Sequence, residues 1–172
     1  MAATIPAMER KHTISVLVEN RPGVLARVSG LFARRGFNID SLAVCNTEDP
    51  QVSRMTVVAK GDERQLEQLV KQLDKLVDVI QILDHTDDDL IEREIALIKV
   101  HATVDNRSEI MQLTTIFRAD VVSITPRTES MILEITGDSA KVDAFLEALA
   151  KFKIVELVRT GTIALVRGGR HT

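Results

Sequence analysis

One hydrophobic pattern is written twice along this chain. From Thr13 to Leu83, period-two and helical spacings follow in the order strand, helix, strand, strand, helix, strand. The same order restarts near Ile95. A chain of this kind folds as two α+β units in tandem, each a ferredoxin-like βαββαβ arrangement.

In the first copy Ile14, Val16 and Val18 alternate, which predicts a strand over Thr13–Glu19. Pro22 then opens a helix reaching Arg35, with Gly23 second in it; proline suits the first helical position because its missing N–H was unpaired there anyway. Val24, Leu25, Val28, Leu31 and Phe32 form the apolar stripe, and Gly36 ends the helix. A second strand lies within Asn38–Asn46 and a third spans Val52–Ala59. Asp62 followed by Gln65 reads as a capping box. Leu66, Leu69, Val70, Leu73 and Leu76 mark the next helix, and Val77–Leu83 the fourth strand.

The acidic stretch Asp84–Asp89 (DHTDDD) reads as a solvated linker. Beyond it, Ile95–Ala102, a helix with Ile110, Leu113 and Phe117, strands Ala119–Thr125 and Met131–Thr136, a helix with Val142, Phe145, Leu146 and Leu149, and Ile154–Thr160 repeat the order. Ile163–Val166 adds a short strand. Asn106 and Glu109 signal the start of the first of these helices. The expected organisation is a flexible tail over 1–11, a first domain over 12–84, a linker over 85–92 and a second domain over 93–172.

Composition removes several function classes. The formal charge of −3 argues against phosphate-driven nucleic-acid binding, and five Phe with no Trp or Tyr offer little for base stacking. No run is apolar and long enough to cross a membrane. The single Cys45 makes no internal disulfide, which points to a reducing cytoplasmic setting, and it reads as a small buried residue. His12, His85, His101 and His171 have no partners at metal-ligand spacing and read as surface or edge residues. No nucleophile–base pair, phosphate loop or metal motif is present, so no catalytic or metal residue is assigned.

One corner suits a small acid. The first-turn N–H groups of the helix at Pro22-Gly23 present the positive end of its dipole to an anion, and Gly23 lets a ligand approach the backbone. Val18-Glu19-Asn20-Arg21 is echoed by Val104-Asp105-Asn106-Arg107 at the matching corner of the second copy. There the chain continues Ser108-Glu109 instead, placing negative charge where the first copy is ready for an anion. Acid binding is therefore expected only at the first corner.

The string SVLVENRPGVLARVSGLFARRGFNIDSLAV, with SRMTVV, LEQLVKQLDKLVDVI, EREIALIKV, IFRADVVSITP and ELVRTGTIALVRG, resembles the regulatory (small) subunit of acetohydroxyacid synthase, also called acetolactate synthase. The resemblance runs from about Lys11 to Gly168, and its first part is similar to an ACT domain. It implies a non-catalytic chain that activates a large catalytic subunit using thiamine diphosphate, Mg²⁺ and FAD, and that confers feedback inhibition by valine. The chain itself would carry no cofactor. The resemblance also implies a homodimer through the ACT domain, with the effector between protomers. Asn20, Gly23, Val24 and Leu25 would come from one protomer, and Asn38 and Ile39 from the other. The family often has a small or acidic residue where this chain has Arg21-Pro22, a departure that bears on effector affinity. The alternative is a stand-alone ACT-type regulator of another metabolic enzyme.

Overall fold

The structure is a computed structural model, and it describes residues 10–169. Two compact units divide the chain. Among the described residues, one contains 10–91 together with 164–169, and the other is Glu92–Ile163.

The first unit runs β1 (Arg10–Glu19), α1 (Val24–Arg34), β2 (Asn38–Asn46), β3 (Val52–Gly61), α2 (Glu63–Leu73) and β4 (Val79–Asp84). Its antiparallel sheet has the order β2-β3-β1-β4, so β2 and β4 are the edges. This is the βαββαβ arrangement that the alternation predicts. Ile14, Val16 and Val18 of β1 meet Met55, Val57 and Ala59 of β3 beneath Val28, Leu31 and Phe32 of α1 and Leu66, Leu69 and Leu73 of α2. The opposite face of the two central strands is also buried at Thr13, Ser15, Thr56 and Val58.

Local sequence explains the element ends. Asp62 accepts from the Gln65 N–H at 2.7 Å while Gln65 Oε1 accepts from the Asp62 N–H at 3.3 Å, the reciprocal box expected at α2. Gly36 follows α1 in the left-handed region at φ 74°. The Phe37 N–H reaches back to the Phe32 carbonyl at 3.0 Å and the Gly36 N–H to that of Ala33 at 3.1 Å. The two phenyl rings meet edge-on, 6.2 Å between centroids. Hydrogen bonds and ring contact together form a Schellman stop with its apolar clasp.

Several sequence expectations shift. The tail expected over 1–11 gives up Arg10 and Lys11 to β1, because β3 extends to Gly61 and pairs with them; residues 1–9 lie outside the described residues. Pro22 does not open the helix. It sits with Gly23 in a turn, and α1 begins at Val24. Leu25, expected on the apolar stripe, is 42% exposed. Cys45, expected to be buried, is exposed, because β2 is an edge strand.

The segment Asp84–Asp89 is a hydrogen-bonded turn, and its Asp84, Asp87 and Asp89 side chains are solvent-exposed as a solvated charge run requires. His85 donates its N–H to the Thr13 carbonyl at 2.9 Å, and its ring meets the Asp88 carboxylate at 2.9 Å. Arg10 pairs with Asp87 at 2.6 Å, and Arg167 with Asp89 at 2.9 Å. His12 and His85, expected at the surface, are each 1% exposed. His101 is part-exposed beside Glu129, and His171 lies outside the described residues.

The second unit is built from β5 (Leu90–His101), α3 (Arg107–Phe117), β6 (Asp120–Thr125), a 3-10 turn over Pro126–Thr128, β7 (Ser130–Gly137), α4 (Ser139–Leu149) and β8 (Ile154–Arg159). Its strand order β6-β7-β5-β8 repeats that of the first sheet, and β9 (Ile163–Val166) pairs with β5. The first residues of β5 fall within the stretch expected as linker. Ala96, Ile98, Val100, Ile110, Leu133, Val142, Phe145 and Leu149 form the core. Glu94, 4% exposed, is held by the guanidinium of Arg159, which also bonds Asp143 at 2.6 Å. These hydrogen bonds, that to Glu94 first, hold the Arg159 guanidinium above its ordinary range.

Candidate functional site

The corner between β1 and α1 is shaped by one residue that only glycine serves well. Gly23 caps the helix at φ 84°, and a side chain there would meet open space rather than a neighbour. The requirement is conformational, since an L-residue in this region is strained. The Gly23 carbonyl accepts the first helical bond, from the Arg27 N–H at 3.1 Å. The Val24 N–H, expected to face a ligand, points at the Arg21 carbonyl at 3.4 Å. The N–H groups of Gly23 and Leu25 have no acceptor among the described residues.

Asn20 is fixed by its own chain. Its N–H donates to the Gln51 carbonyl at 2.7 Å. Its side-chain amide donates to the Pro50 carbonyl at 3.0 Å and to Oδ1 of Asn46 at 3.3 Å. The amide nitrogen is therefore committed, and Oδ1 is the atom left as an acceptor. Beside it opens a polar cleft of about 390 Å³, lined by Glu19, Asn20, Arg21, Asp49, Gln51 and Ile80 among others. Arg21 turns back to Glu19 at 3.1 Å.

Asn38 and Ile39 stand elsewhere. They pair with Lys60 and Ala59, while Asn46 at the other end of β2 pairs with Ser53. At about 3.3 Å per residue, the two ends of β2 are about 25 Å apart. Within one chain the six expected residues thus fall into two groups, Asn20 to Leu25 at one end of the sheet and Asn38 with Ile39 at the other. Asn38 donates to Asp40 Oδ1 at 3.1 Å, and Asp40 also meets Lys60 at 3.4 Å. Ile39 packs its side chain against the core, which leaves its backbone as the part that can face outward.

Asp40 and Asn46 are the residues sequence reasoning missed. Asp40 sits at the irregularity between Ile39 and Ser41 in the β2–β3 pairing, and alternation alone does not reveal a bulge. Asn46 is recognisable only once β1 and β2 are known to end side by side.

The corresponding corner of the second unit differs. Helix α3 starts at Arg107, directly after Asn106, whereas α1 starts four residues after Asn20. The Asn106 amide bonds the His101 carbonyl at 3.3 Å and does not cap the helix. Glu109 is ion-paired with Lys151, so its charge is offset within the unit.

Comparison with known proteins agrees with this architecture in both units. Residues 14–81 match the family model of the AHAS small subunit-like ACT domain, and residues 93–168 that of the small subunit of acetolactate synthase. The chain belongs to the acetolactate synthase small-subunit family. A probable acetolactate synthase small subunit of Archaeoglobus fulgidus is 52% identical over 160 residues, covering 93% of this chain and 99% of that protein. An acetolactate synthase small subunit of Mycobacterium bovis is 48% identical over 161 residues, covering 94% of this chain and 95% of the relative. The crystal structure of the acetolactate synthase small subunit from Thermotoga maritima superposes with a TM-score of 0.85 at 42% identity, covering 94% of this chain and 99% of the other. The protein is a regulatory small subunit with an N-terminal ACT domain.

Proposed function

We propose that this small subunit has no turnover of its own, activates a large catalytic subunit of acetolactate synthase, and makes it sensitive to valine. On this reading thiamine diphosphate, Mg²⁺ and FAD belong to the catalytic partner. The effector rests between the ACT domains of two copies, in the cytoplasm.

The observation that carries the effector site is the hydrogen bond between Asn20 and Asn46. It ties the Gly23 corner to the C-terminal end of an edge strand whose N-terminal end carries Asn38. If two copies pair their β2 edges antiparallel about a two-fold axis near Leu42, Asn38 of the partner subunit arrives beside Asn46 and Asn20. Edge strands have unpaired N–H and C=O groups that favour such pairing. The two groups of residues, about 25 Å apart in one chain, then meet twice across the axis. The N–H groups of Gly23 and Leu25 receive the effector carboxylate. Asn20 Oδ1 and the partner's Ile39 backbone receive its ammonium. The exposed side chains of Leu25 and Val44 supply apolar surface for a branched aliphatic group.

Inhibition follows only if valine binds two states of the assembly unequally, since a ligand with equal affinity for both shifts nothing. The test is an acetolactate-formation assay of the catalytic subunit with and without this chain, and with and without valine. Stimulation by the chain and its loss on adding valine are expected. Turnover by the chain alone, rigorously freed of large subunit, contradicts the reading.

A further inference from the structure

The side-chain amide of Asn20 has one orientation that its neighbours accept. Its nitrogen lies 3.0 Å from the Pro50 carbonyl and 3.3 Å from Asn46 Oδ1. A backbone carbonyl only accepts, so the atom facing Pro50 is the NH₂. An NH₂ only donates, so Asn46 in turn faces it with oxygen. That oxygen also accepts from the Ser53 hydroxyl at 3.4 Å, and Ser53 is 6% exposed. Regular structure holds both acceptors in place. Asn46 pairs with Ser53 at the end of β2. Pro50 sits in a turn closed by the Thr47 N–H on the Val52 carbonyl at 3.0 Å, the Asp49 N–H on Thr47 Oγ1 at 3.1 Å and the Gln51 N–H on Asp49 Oδ1 at 2.9 Å. Both hydrogens of the Asn20 NH₂ are thus spent, and its oxygen is the polar atom the side chain has left to offer.

We propose that Asn46 is a positioning residue that makes the effector corner select an α-amino acid over the α-keto acid of the same carbon skeleton. This role rests on the effector site proposed above. With the N–H groups of Gly23 and Leu25 taking the carboxylate, the group on the α-carbon meets Asn20 Oδ1. An ammonium donates to that oxygen. A keto group sets lone pairs against lone pairs, and that repulsion counts against the wrong ligand. Charge works in the same direction, because the cleft beside Asn20 carries two carboxylates, Glu19 and Asp49, against one guanidinium, Arg21. Without the Asn46 acceptor, the Asn20 amide is held by Pro50 alone and is free to turn its NH₂ toward the α-carbon. Turned, it opposes the ammonium's hydrogens and donates to a keto group. Asn46 therefore acts on selectivity through Asn20.

The experiment is calorimetric titration of the full chain with valine and with the α-keto acid of valine's carbon skeleton, for the natural protein, Asn46→Leu and Asn46→Asp. The natural chain should prefer valine about tenfold or more, the worth of a hydrogen bond to a charged group. Asn46→Leu should narrow that preference about threefold or more, the worth of one neutral hydrogen bond. Asn46→Asp keeps an acceptor at the same reach and should retain the preference. The ratio of the two affinities is the readout, because a merely structural loss weakens both acids alike. An unchanged ratio in Asn46→Leu overturns the role of Asn46 and leaves the corner as a binding site. A preference lost in Asn46→Asp overturns it as well, whether or not Asn46→Leu folds. Absence of valine binding to the natural chain overturns the effector site itself, and this role with it.

Discussion

The ring of Phe37 lies directly over the bare Cα of Gly61, in the space a side chain there would need. Gly61 closes β3, and Phe37 is the residue that locks the end of α1 through Phe32. The glycine thus lets the helix stop and the strand end share one place in the core. Gly61→Ala should destabilise the first unit by about 1–3 kcal/mol, the usual cost of overpacking. Denaturant unfolding of the full chain measures it, and a neutral alanine would mean the phenyl ring simply swings aside.

Val44 is 43% exposed on β2, the edge proposed to join two copies. A lysine on an edge strand discourages pairing with another edge. Val44→Lys should shift the protein from dimer to monomer in sedimentation analysis while leaving its circular dichroism unchanged. A variant that remains fully dimeric would place the interface on another surface.

Gly23→Asp should abolish valine inhibition and spare activation. The added carboxylate stands beside the N–H groups proposed to take the effector's carboxylate, and like charges repel. Its Cβ meets no neighbour, so the fold pays only for the positive φ, about 1–2 kcal/mol or less for an aspartate. Assays of the reconstituted enzyme across a valine series test this. Unaltered valine sensitivity would move the effector site away from this corner.

On the proposed site, removing the Asn20 side chain costs an acceptor for the effector's ammonium, besides the two bonds that fix the corner, to Pro50 and Asn46. Asn20→Ala should weaken valine binding by about 1–3 kcal/mol. Calorimetric titration reads the change directly, and an unaltered dissociation constant would leave Asn20 with its structural bonds alone.

Arg159 is the counter-charge of Glu94, whose side chain is only 3% exposed. Arg159→Met leaves that carboxylate buried without its partner and should destabilise the second unit by about 3 kcal/mol, toward the low end for breaking a buried pair because Arg159 keeps some solvent contact. Adding Glu94→Gln should recover part of the loss. Chemical unfolding of the single and double variants measures both, and equal stability of all three proteins would show the pair to be energetically idle.

The order of strands and helices was legible because it rests on local periodicity: Ile14, Val16 and Val18 at period two, Leu66, Leu69 and Leu73 at helical spacing. So were the Asp62–Gln65 box and the Gly36 stop, which need only residues three or four apart. The doubling of the pattern and the Asn20–Gly23 corner were visible for the same reason. What only the tertiary structure decided depends on which segments become neighbours. Arg10 and Lys11 join β1 because β3 runs as far as Gly61. Cys45 is exposed because β2 is an edge, which alternation does not report. His12 and His85 are buried because the turn folds back on β1, where His12 meets Gly61 and Thr86 and His85 meets Asp88 through Nδ1. Asn20 and Asn38 lie at opposite ends of the sheet because strand register, rather than sequence distance, sets their separation.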